Sequence, residues 1–186
     1  MDEILQLYKW KQTVFNFSDL ESIFGITNTQ VLKNKIQFLK KKWILSSPRR
    51  GIYVVRDKPV NSFELANKIY SPSYISFYSA LYHHKMIFQY PEEVYLAYKK
   101  TQMQDIAGLQ VELKTLKKNI LLNPSGIIHN GLYSIASAER AFLDTLYLSG
   151  EIHFDNLDMI DVNKVKELLK IYQSKTLEKR AVSYFL

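Results

Sequence analysis

The sequence predicts an α+β protein with two domains: an N-terminal winged helix-turn-helix in residues 1–58 and a mixed α/β domain in residues 59–186. Two helix patterns separated by a short turn with a glycine lie in the first third of the chain. A strand–turn–strand pattern follows them directly. Beyond residue 58, alternating segments typical of strands are interspersed with helical ones, and this mixture predicts the second domain.

The composition is typical of a folded protein. Hydrophobic residues make up 47% of the 186 residues and charged residues 23%, which argues against long disordered stretches. Because the chain has no cysteine, disulfides and thiolate metal sites are excluded, and we expect neither a metal nor a cofactor. The first residues lack the pattern of a signal peptide, and no apolar run approaches the roughly 20 residues that cross a bilayer. We therefore expect a cytoplasmic protein with no membrane partner.

The positive charge is concentrated in the first domain. Residues 1–58 carry 11 Lys and Arg against 5 Asp and Glu, whereas residues 59–186 carry 14 against 13. The balances are +6 and +1, and they add up to the net charge of +7. Attraction to a polyanion grows with the number of cations that reach it together, so this asymmetry favours nucleic-acid binding by the first domain.

The first domain begins with two short helices. Asp2–Lys11 predicts an amphipathic helix, and Thr13–Phe15 an extended connector. Ser18–Glu21 has the spacing of a capping box, so the second helix is expected to begin near Asp19, and Gly25 to end it in a left-handed conformation. The face predicted to be buried on the first helix consists of Ile4, Leu5 and Tyr8.

A longer helix and a hairpin complete the predicted winged helix. Thr27–Gln30 is a second capping signal, and it opens a helix that is expected to run through Lys42. Trp43–Leu45 and Ile52–Val55 are strand candidates, and residues 46–51 are the turn that joins them as a wing. The buried stripe predicted for the longer helix consists of Leu32, Ile36, Leu39 and Trp43.

The predicted DNA contacts follow from this geometry, because the second helix of the motif normally lies in the major groove. Asn and Gln side chains pair with adenine and Lys with guanine, while Arg and Lys neutralise phosphates. Lysines at the end of a helix also complement its dipole, so the run Lys40–Lys42 by itself fits a solvated helix end equally well. The candidate residues are Asn28, Thr29, Gln30, Lys33, Asn34 and Gln37 for the bases, Lys40 and Lys41 for phosphates, and Arg49 and Arg50 at the wing tip.

The second domain is predicted from Lys58–Asn61, interpreted as a linker, onwards. Helices are expected at about 62–70, 75–85 and 137–148, with two more between Val162 and Phe185. Asn130-Gly131 is a strong hairpin signal between the last two strands. The predicted strands are Glu93–Tyr98, Leu109–Leu113, Asn119–Leu122, Gly126–His129 and Leu132–Ile135.

Four segments, in this order and spacing, resemble those of the AbiEi-type antitoxins, which are regulators in phage-defence systems. They are Arg50–Tyr53, Glu64–Ser76, Ser79–Leu81 and Ser137–Asp144. The resemblance implies a repressor that binds inverted repeats in double-stranded DNA at its own promoter and counteracts a nucleotidyltransferase-like toxin, without requiring a stable complex with it. A glycine of the family before Met86 is replaced by Lys85, which bears on how that helix ends.

Two other functions are open at this point. A metal-dependent nuclease could use Asp105, Glu112 and Lys114, although a Glu-x-Lys pattern is common by chance in a chain rich in lysine. A regulator that responds to a small molecule could line its pocket with the aromatic side chains of residues 70–78, although such clusters are more often ordinary core. These aromatic residues are Tyr70, Tyr74, Phe77 and Tyr78. The favoured interpretation is a regulator without enzymatic activity.

Overall fold

The computed structural model describes residues Asp2–Phe185, with side chains from Ile4 onwards, and shows a mixed α+β fold. Helices and two sheets are divided between two compact units, Met1–Ile69 and Tyr70–Leu186, called here the N-terminal and the C-terminal unit. No helix in the described part of the chain is long and apolar enough to cross a membrane.

The N-terminal unit is built from four helices and a three-stranded antiparallel sheet of order β1-β3-β2. Its core lies between the helices and the sheet and includes Leu7, Phe15, Leu20, Ile23, Leu32, Ile36, Leu39, Leu45 and Val55. The elements are α1 (Asp2–Lys9), β1 (Val14–Asn16), α2 (Phe17–Phe24), α3 (Thr29–Lys41), β2 (Leu45–Arg49), β3 (Ile52–Val55) and α4 (Ser62–Ile69).

The first two helices differ in detail from the sequence-based expectation. In α1, Leu7 is fully buried, whereas Leu5 and Tyr8 are exposed, so the predicted buried face is wrong except for the partly buried Ile4. The cap of α2 is Asn16 rather than Ser18. Asn16 Oδ1 accepts from the Asp19 amide at 2.8 Å, and Asp19 Oδ2 accepts from the Asn16 amide at 2.8 Å. Asparagine and aspartate form the same reciprocal box two residues earlier, and the helix therefore begins at Phe17.

The turn and the third helix have the predicted form, with one correction at the end of the helix. Gly25 ends α2 in the left-handed region, with φ 63° and ψ 26°, and Asn28 caps α3. Leu32, Ile36 and Leu39 are buried as predicted, but Trp43 is 65% exposed. Trp43 has a φ of 59°, so the chain leaves the helical path there and the stripe ends at Leu39.

The hairpin after α3 is longer than the sequence indicates. Strand β2 extends through Ser46 and Pro48 to Arg49, with a register shift between Ser46 and Arg49. This irregularity accommodates the proline, which cannot donate a hydrogen bond to the ladder. Only Arg50 and Gly51 form the turn before β3, and the φ of Gly51 is 79°.

Helix α4 is held within the N-terminal unit, beyond the predicted boundary at residue 58. The carboxylate of Glu64, fully buried, accepts from the amide and hydroxyl of Thr13 and from the amide of Val14, at 2.7–3.2 Å. Lys68 pairs with Asp19 at 2.6 Å. Because both side chains fasten α4 to the region around β1, the compact unit extends to Ile69.

The C-terminal unit has a six-stranded mixed sheet of order β6-β7-β5-β4-β9-β8. Strands β4 and β9 are parallel, as are β5 and β7, and the other pairs are antiparallel. The elements are β4 (Tyr74–Ile75), α5 (Phe77–His83), β5 (Val94–Tyr98), β6 (Gln102–Ile106), β7 (Leu109–Thr115), α6 (Lys118–Leu121), β8 (Ile127–His129), β9 (Ser134–Ala136), α7 (Ala138–Ser149), α8 (Val162–Tyr172) and α9 (Lys175–Val182).

Two local features depart from the sequence-based expectation in this unit, and a third shows how the chain continues after the helix before Met86. Asn119–Leu122 is not a strand, because Lys118–Leu121 forms one helical turn. An apolar run this short does not distinguish the two structures by periodicity. Strands β4 and β6 were not predicted, since β4 has two residues and β6 is mostly exposed. Lys85 takes a φ of 59°, so a lysine occupies the left-handed position that glycine favours.

Candidate nucleic-acid interface

The predicted DNA-contacting residues all lie on the surface of the N-terminal unit. They comprise one face of α3, its C-terminal turn and the hairpin tip, and every one of them is exposed. A side chain must be exposed to reach a base or a phosphate, so the structure meets this requirement for the whole set. The set is Asn28, Thr29, Gln30, Lys33, Asn34, Gln37, Lys40, Lys41, Arg49 and Arg50.

At the start of α3, three of these polar side chains are engaged with one another or with the backbone. Asn28 Oδ1 accepts from the amides of Gln30 and Val31 at 3.0 and 3.1 Å, so its oxygen is used as the helix cap. Gln30 Nε2 donates to Asn34 Oδ1 at 3.0 Å. A base contact by Gln30 or Asn34 would therefore replace this exposed bond. The spacing of four residues between Gln30 and Asn34 could have predicted this hydrogen bond, because such residues are neighbours on one face of a helix.

A groove of about 350 Å³ separates α3 from the hairpin. Lys33, Gln37 and Lys40 line it from the helix, and Arg50 from the hairpin turn. No acidic residue is among the described residues that line it, so three cations converge without a lining carboxylate. Groups in this arrangement can neutralise phosphate oxygens.

The hairpin side of the groove is ordered by Ser47. Its hydroxyl lies 2.8 Å from the carbonyl oxygen of Arg49 and 2.9 Å from that of Ile52, and therefore ties the two strands together next to the turn. Arg50 follows this clasp and lines the groove, whereas Arg49 does not. Sequence reasoning treated the two arginines as equivalent, but the structure places them differently.

Two exposed aromatic side chains, one on α3 and one just after it, were not anticipated as exposed. Phe38 is 55% exposed, and the ammonium of Lys42 lies 5.8 Å from its ring centroid. The guanidinium of Arg56 stacks on Trp43 at 4.0 Å. Lys42 and Arg56 thus lie against aromatic rings, and neither of them is among the residues that line the groove.

The groups suggested for a nuclease have other roles in the described part of the C-terminal unit. Asp105 accepts from the Gly108 amide at 3.0 Å and from the Gln110 side chain at 2.6 Å, which closes the turn between β6 and β7. Glu112 pairs with Lys114 at 3.2 Å. No cluster of three or more His, Asp or Glu that could hold a metal ion occurs among the described residues.

The aromatic cluster suggested for a ligand pocket divides into two parts. Tyr70, Tyr74 and Phe77 are buried, and the hydroxyl of Tyr74 is bonded to Asp144 at 2.9 Å. Tyr78 is partly exposed and lines a cavity of about 600 Å³. This cavity is formed by residues that the sequence did not single out, apart from Tyr78.

A fully buried ion pair lies within the C-terminal unit. Arg140 and Asp144 are both 0% exposed, and Arg140 Nε lies 3.3 Å from Asp144 Oδ1. Hydroxyl groups of Tyr74, Ser76 and Tyr172 donate to the same carboxylate at 2.6–2.9 Å. Desolvation raises the pKa of Asp144, while Arg140 and these hydroxyls act to lower it. We call these five residues the buried polar cluster.

Arg140 also joins the cluster to the backbone. Its guanidinium donates to the carbonyl oxygens of Ile120 at 2.7 Å and Ser125 at 2.9 Å. Burial alone would lower the pKa of Arg140, but the attractions of Asp144, Tyr172 and Tyr74 together outweigh burial and raise it. The cluster thus connects β4, α7 and α8 to α6 and to the segment that follows it. Because Arg140 is completely buried, it has no exposed surface with which to contact DNA.

Comparison with known proteins gives no further assignment. No family model matches this chain, and no curated protein matches it at a significant level.

Proposed function

We propose that the N-terminal unit binds double-stranded DNA as a winged helix-turn-helix. The groove between α3 and the hairpin carries this proposal, because Lys33, Lys40 and Arg50 converge there from two elements. Helix α3 follows α2 after a glycine turn, and the hairpin follows α3 directly, as in winged helices. In this arrangement α3 enters the major groove, with Asn34 and Gln37 facing the bases and Arg50 at the backbone.

The distribution of charge supports DNA as the partner. Residues 1–69 carry 12 Lys and Arg against 6 Asp and Glu, and residues 70–186 carry 13 against 12. The N-terminal unit therefore has a balance of +6, and the other unit has +1. A phosphate backbone attracts the first unit far more strongly than the second.

The binding experiment uses the full chain and a fluorescent duplex from the region upstream of its own gene, titrated at several salt concentrations. Specific binding that weakens linearly with the logarithm of salt concentration is the expected result. The variant Lys33→Ala/Arg50→Ala is expected to bind less tightly with a shallower salt slope, while Lys166→Ala/Lys170→Ala is the matched control. Equal losses in both variants would show that only net charge matters and would remove the groove from the proposal.

We further propose that the protein represses its own operon and acts as an antitoxin in the cytoplasm, opposing a nucleotidyltransferase-like toxin. The resemblance of Glu64–Ser76 and Ser137–Asp144 to AbiEi-type antitoxins supports this step. In the structure these segments supply Glu64 and four of the five residues of the buried polar cluster, the exception being Tyr172. These segments therefore include residues whose hydrogen bonds stabilise the interior of each unit separately.

Co-expression with the neighbouring reading frame tests the antitoxin proposal. If that frame is toxic alone, the full chain is expected to restore growth. The Lys33→Ala/Arg50→Ala variant separates the two activities, since it is expected to lose repression and keep rescue. If the neighbouring product is toxic and the full chain does not restore growth, the antitoxin proposal fails, and the binding experiment still decides whether the protein is a DNA-binding regulator.

A second candidate is a regulator whose C-terminal unit binds a small molecule. The cavity of about 600 Å³ beside Tyr78 favours it, because its size falls within the range of small-molecule sites. Two measurements distinguish the candidates. A small-molecule effector would change the affinity of the protein for DNA, whereas an antitoxin would restore growth in the presence of the toxin.

A further inference from the structure

The cavity in the C-terminal unit lies between α5, the start of β5 and two loop segments. Tyr78 contributes from α5 and Tyr95 from β5, while residues 87–93 and 153–155 supply the loop walls. Its volume of about 600 Å³ is sufficient for an organic molecule rather than a single ion.

The walls combine aromatic and aliphatic surface. The rings of Tyr78 and Tyr95 meet edge to face, with centroids 5.3 Å apart. Tyr90 is 70% exposed and packs edge to face on Tyr82 at 5.2 Å. Ile87 completes the apolar part of the lining. These surfaces can bury an apolar body, and the ring faces attract cations.

The charged part of the lining is acidic. Glu92, Glu93 and Asp155 line the cavity, and neither lysine nor arginine is among the described lining residues. His153 also lines it, with its Nε2 3.8 Å from Asp155 Oδ1. Lys114 lies against the rings of Tyr78 and Tyr95, but its ammonium is paired with Glu112 at 3.2 Å, which offsets its charge. The lining thus has three carboxylates and no lysine or arginine among its described residues, in a protein of net charge +7.

Two of the carboxylates are held in place by the protein. Asp155 Oδ2 accepts from the Phe88 amide at 2.7 Å, and Glu93 Oε2 accepts from the Tyr95 hydroxyl at 3.2 Å. Each carboxylate oxygen can accept more than one hydrogen bond, so both groups keep acceptor capacity for a ligand. Positioning by the protein lowers the entropy cost of binding.

We propose that this cavity binds a small organic cation, with an amine, amidine or guanidine group at the carboxylates and an apolar body against the tyrosine rings. Charge-assisted hydrogen bonds to the carboxylates would favour such a ligand over a neutral or anionic one of the same shape. A bare metal ion fits less well, because the described residues offer no cluster of three metal ligands. The proposal is independent of DNA binding.

Three probes of nearly the same shape test it: benzamidine, benzamide and benzoate, which are cationic, neutral and anionic. Each is titrated into the full-length protein while NMR resonances are followed. We expect benzamidine to perturb resonances at Tyr78, Tyr90 and Tyr95 in a saturable way, and benzamide and benzoate to bind at least about fivefold more weakly. Equal binding of the three probes, or no saturable change at these residues with benzamidine, would overturn the proposal.

A pair of charge-matched variants sharpens the test. Glu92→Gln removes one carboxylate of the lining, and Glu151→Gln removes an exposed carboxylate outside it. We expect Glu92→Gln to weaken benzamidine binding by about threefold to fivefold and Glu151→Gln to leave it unchanged. A Glu92→Gln protein that binds benzamidine as the parent does would contradict the assigned role of the carboxylates, and its amide spectrum shows whether it is folded.

Discussion

The groove of the N-terminal unit and the buried polar cluster of the C-terminal unit use similar residues in opposite ways. Lys33, Lys40 and Arg50 are exposed, and no described acidic residue lines their groove. Arg140 and Asp144 are fully buried and bonded to each other and to neighbouring hydroxyls. Burial and internal pairing, rather than residue type, therefore separate charges that are available to a partner from charges that are used in folding.

The largest expected effect is on the buried polar cluster. Asp144→Asn leaves the charge of Arg140 buried without a counter-charge, which costs about 3–5 kcal/mol in the free energy of unfolding. Urea unfolding of the full chain measures it, and Asp158→Asn, an exposed acid, serves as the control with a change within about 0.5 kcal/mol. A loss below about 1 kcal/mol would mean that the pair is not buried as described.

Removing both charges sharpens the comparison. Arg140→Met/Asp144→Leu leaves no uncompensated charge, but the hydroxyls of Tyr74, Ser76 and Tyr172 lose their acceptor. Urea unfolding is therefore expected to show that the double variant is also less stable than the parent, and a double variant as stable as the parent would mean that these hydrogen bonds contribute nothing. If the parent restores growth in the proposed co-expression test and this double variant folds but does not, the cluster has a functional role beyond stability, and the distinction between the two regions fails.

A smaller loss is expected at Glu64. Glu64→Gln keeps one oxygen acceptor but replaces the other carboxylate oxygen, and with it the negative charge, by an amide group. The hydrogen bonds from Thr13 and Val14 are therefore weakened, which is expected to lower the free energy of unfolding by about 1–3 kcal/mol. Hydrogen exchange at the amides of Thr13 and Val14 reports the change directly. The matched control is Glu178→Gln on exposed α9, for which exchange at these two amides should stay the same. Unaltered protection in Glu64→Gln would show that this carboxylate does not fasten α4.

Local sequence signals predicted the parts of the fold that local interactions determine. The helix pair around Gly25, the hairpin at Asn130-Gly131 and the cap at Ser137 were all recognisable from short patterns. Trp43 was misplaced because its exposure depends on a left-handed backbone that no tryptophan pattern indicates.

The buried polar cluster could not be predicted for a different reason. The spacing of four between Arg140 and Asp144 was visible, but their burial depends on Tyr74 and Tyr172, which are 70 and 28 residues from Asp144 in the sequence. For the proposed DNA contacts, sequence alone identified an exposed polar face. It could not show that Arg50 shares a groove with Lys33 whereas Arg49 does not.

Within the proposed interface, Asn34 is expected to discriminate between bases. Asn34→Ala removes an amide that can pair with adenine and also the acceptor of Gln30, so it should change the preference between operator variants by about 1–3 kcal/mol. Competition titrations with duplexes that differ at single base pairs measure this. Gln30→Ala is the companion variant, since it breaks the same hydrogen bond and keeps Asn34. An equal loss on every sequence would make Asn34 a phosphate contact instead.

The smallest expected effect separates the two arginines of the hairpin. Arg50 lines the groove with Lys33 and Lys40, so Arg50→Ala should lower the slope of binding against the logarithm of salt concentration by about 0.9, the value for one phosphate contact. Arg49 lies outside the lining, and Arg49→Ala is therefore expected to change the slope less. The Arg49→Ala/Arg50→Ala variant should bind all DNA sequences more weakly, since neither arginine is expected to contact bases. If Arg49→Ala and Arg50→Ala lower the slope equally, both arginines reach the backbone, and the phosphate contacts extend along the whole hairpin tip rather than being confined to the groove.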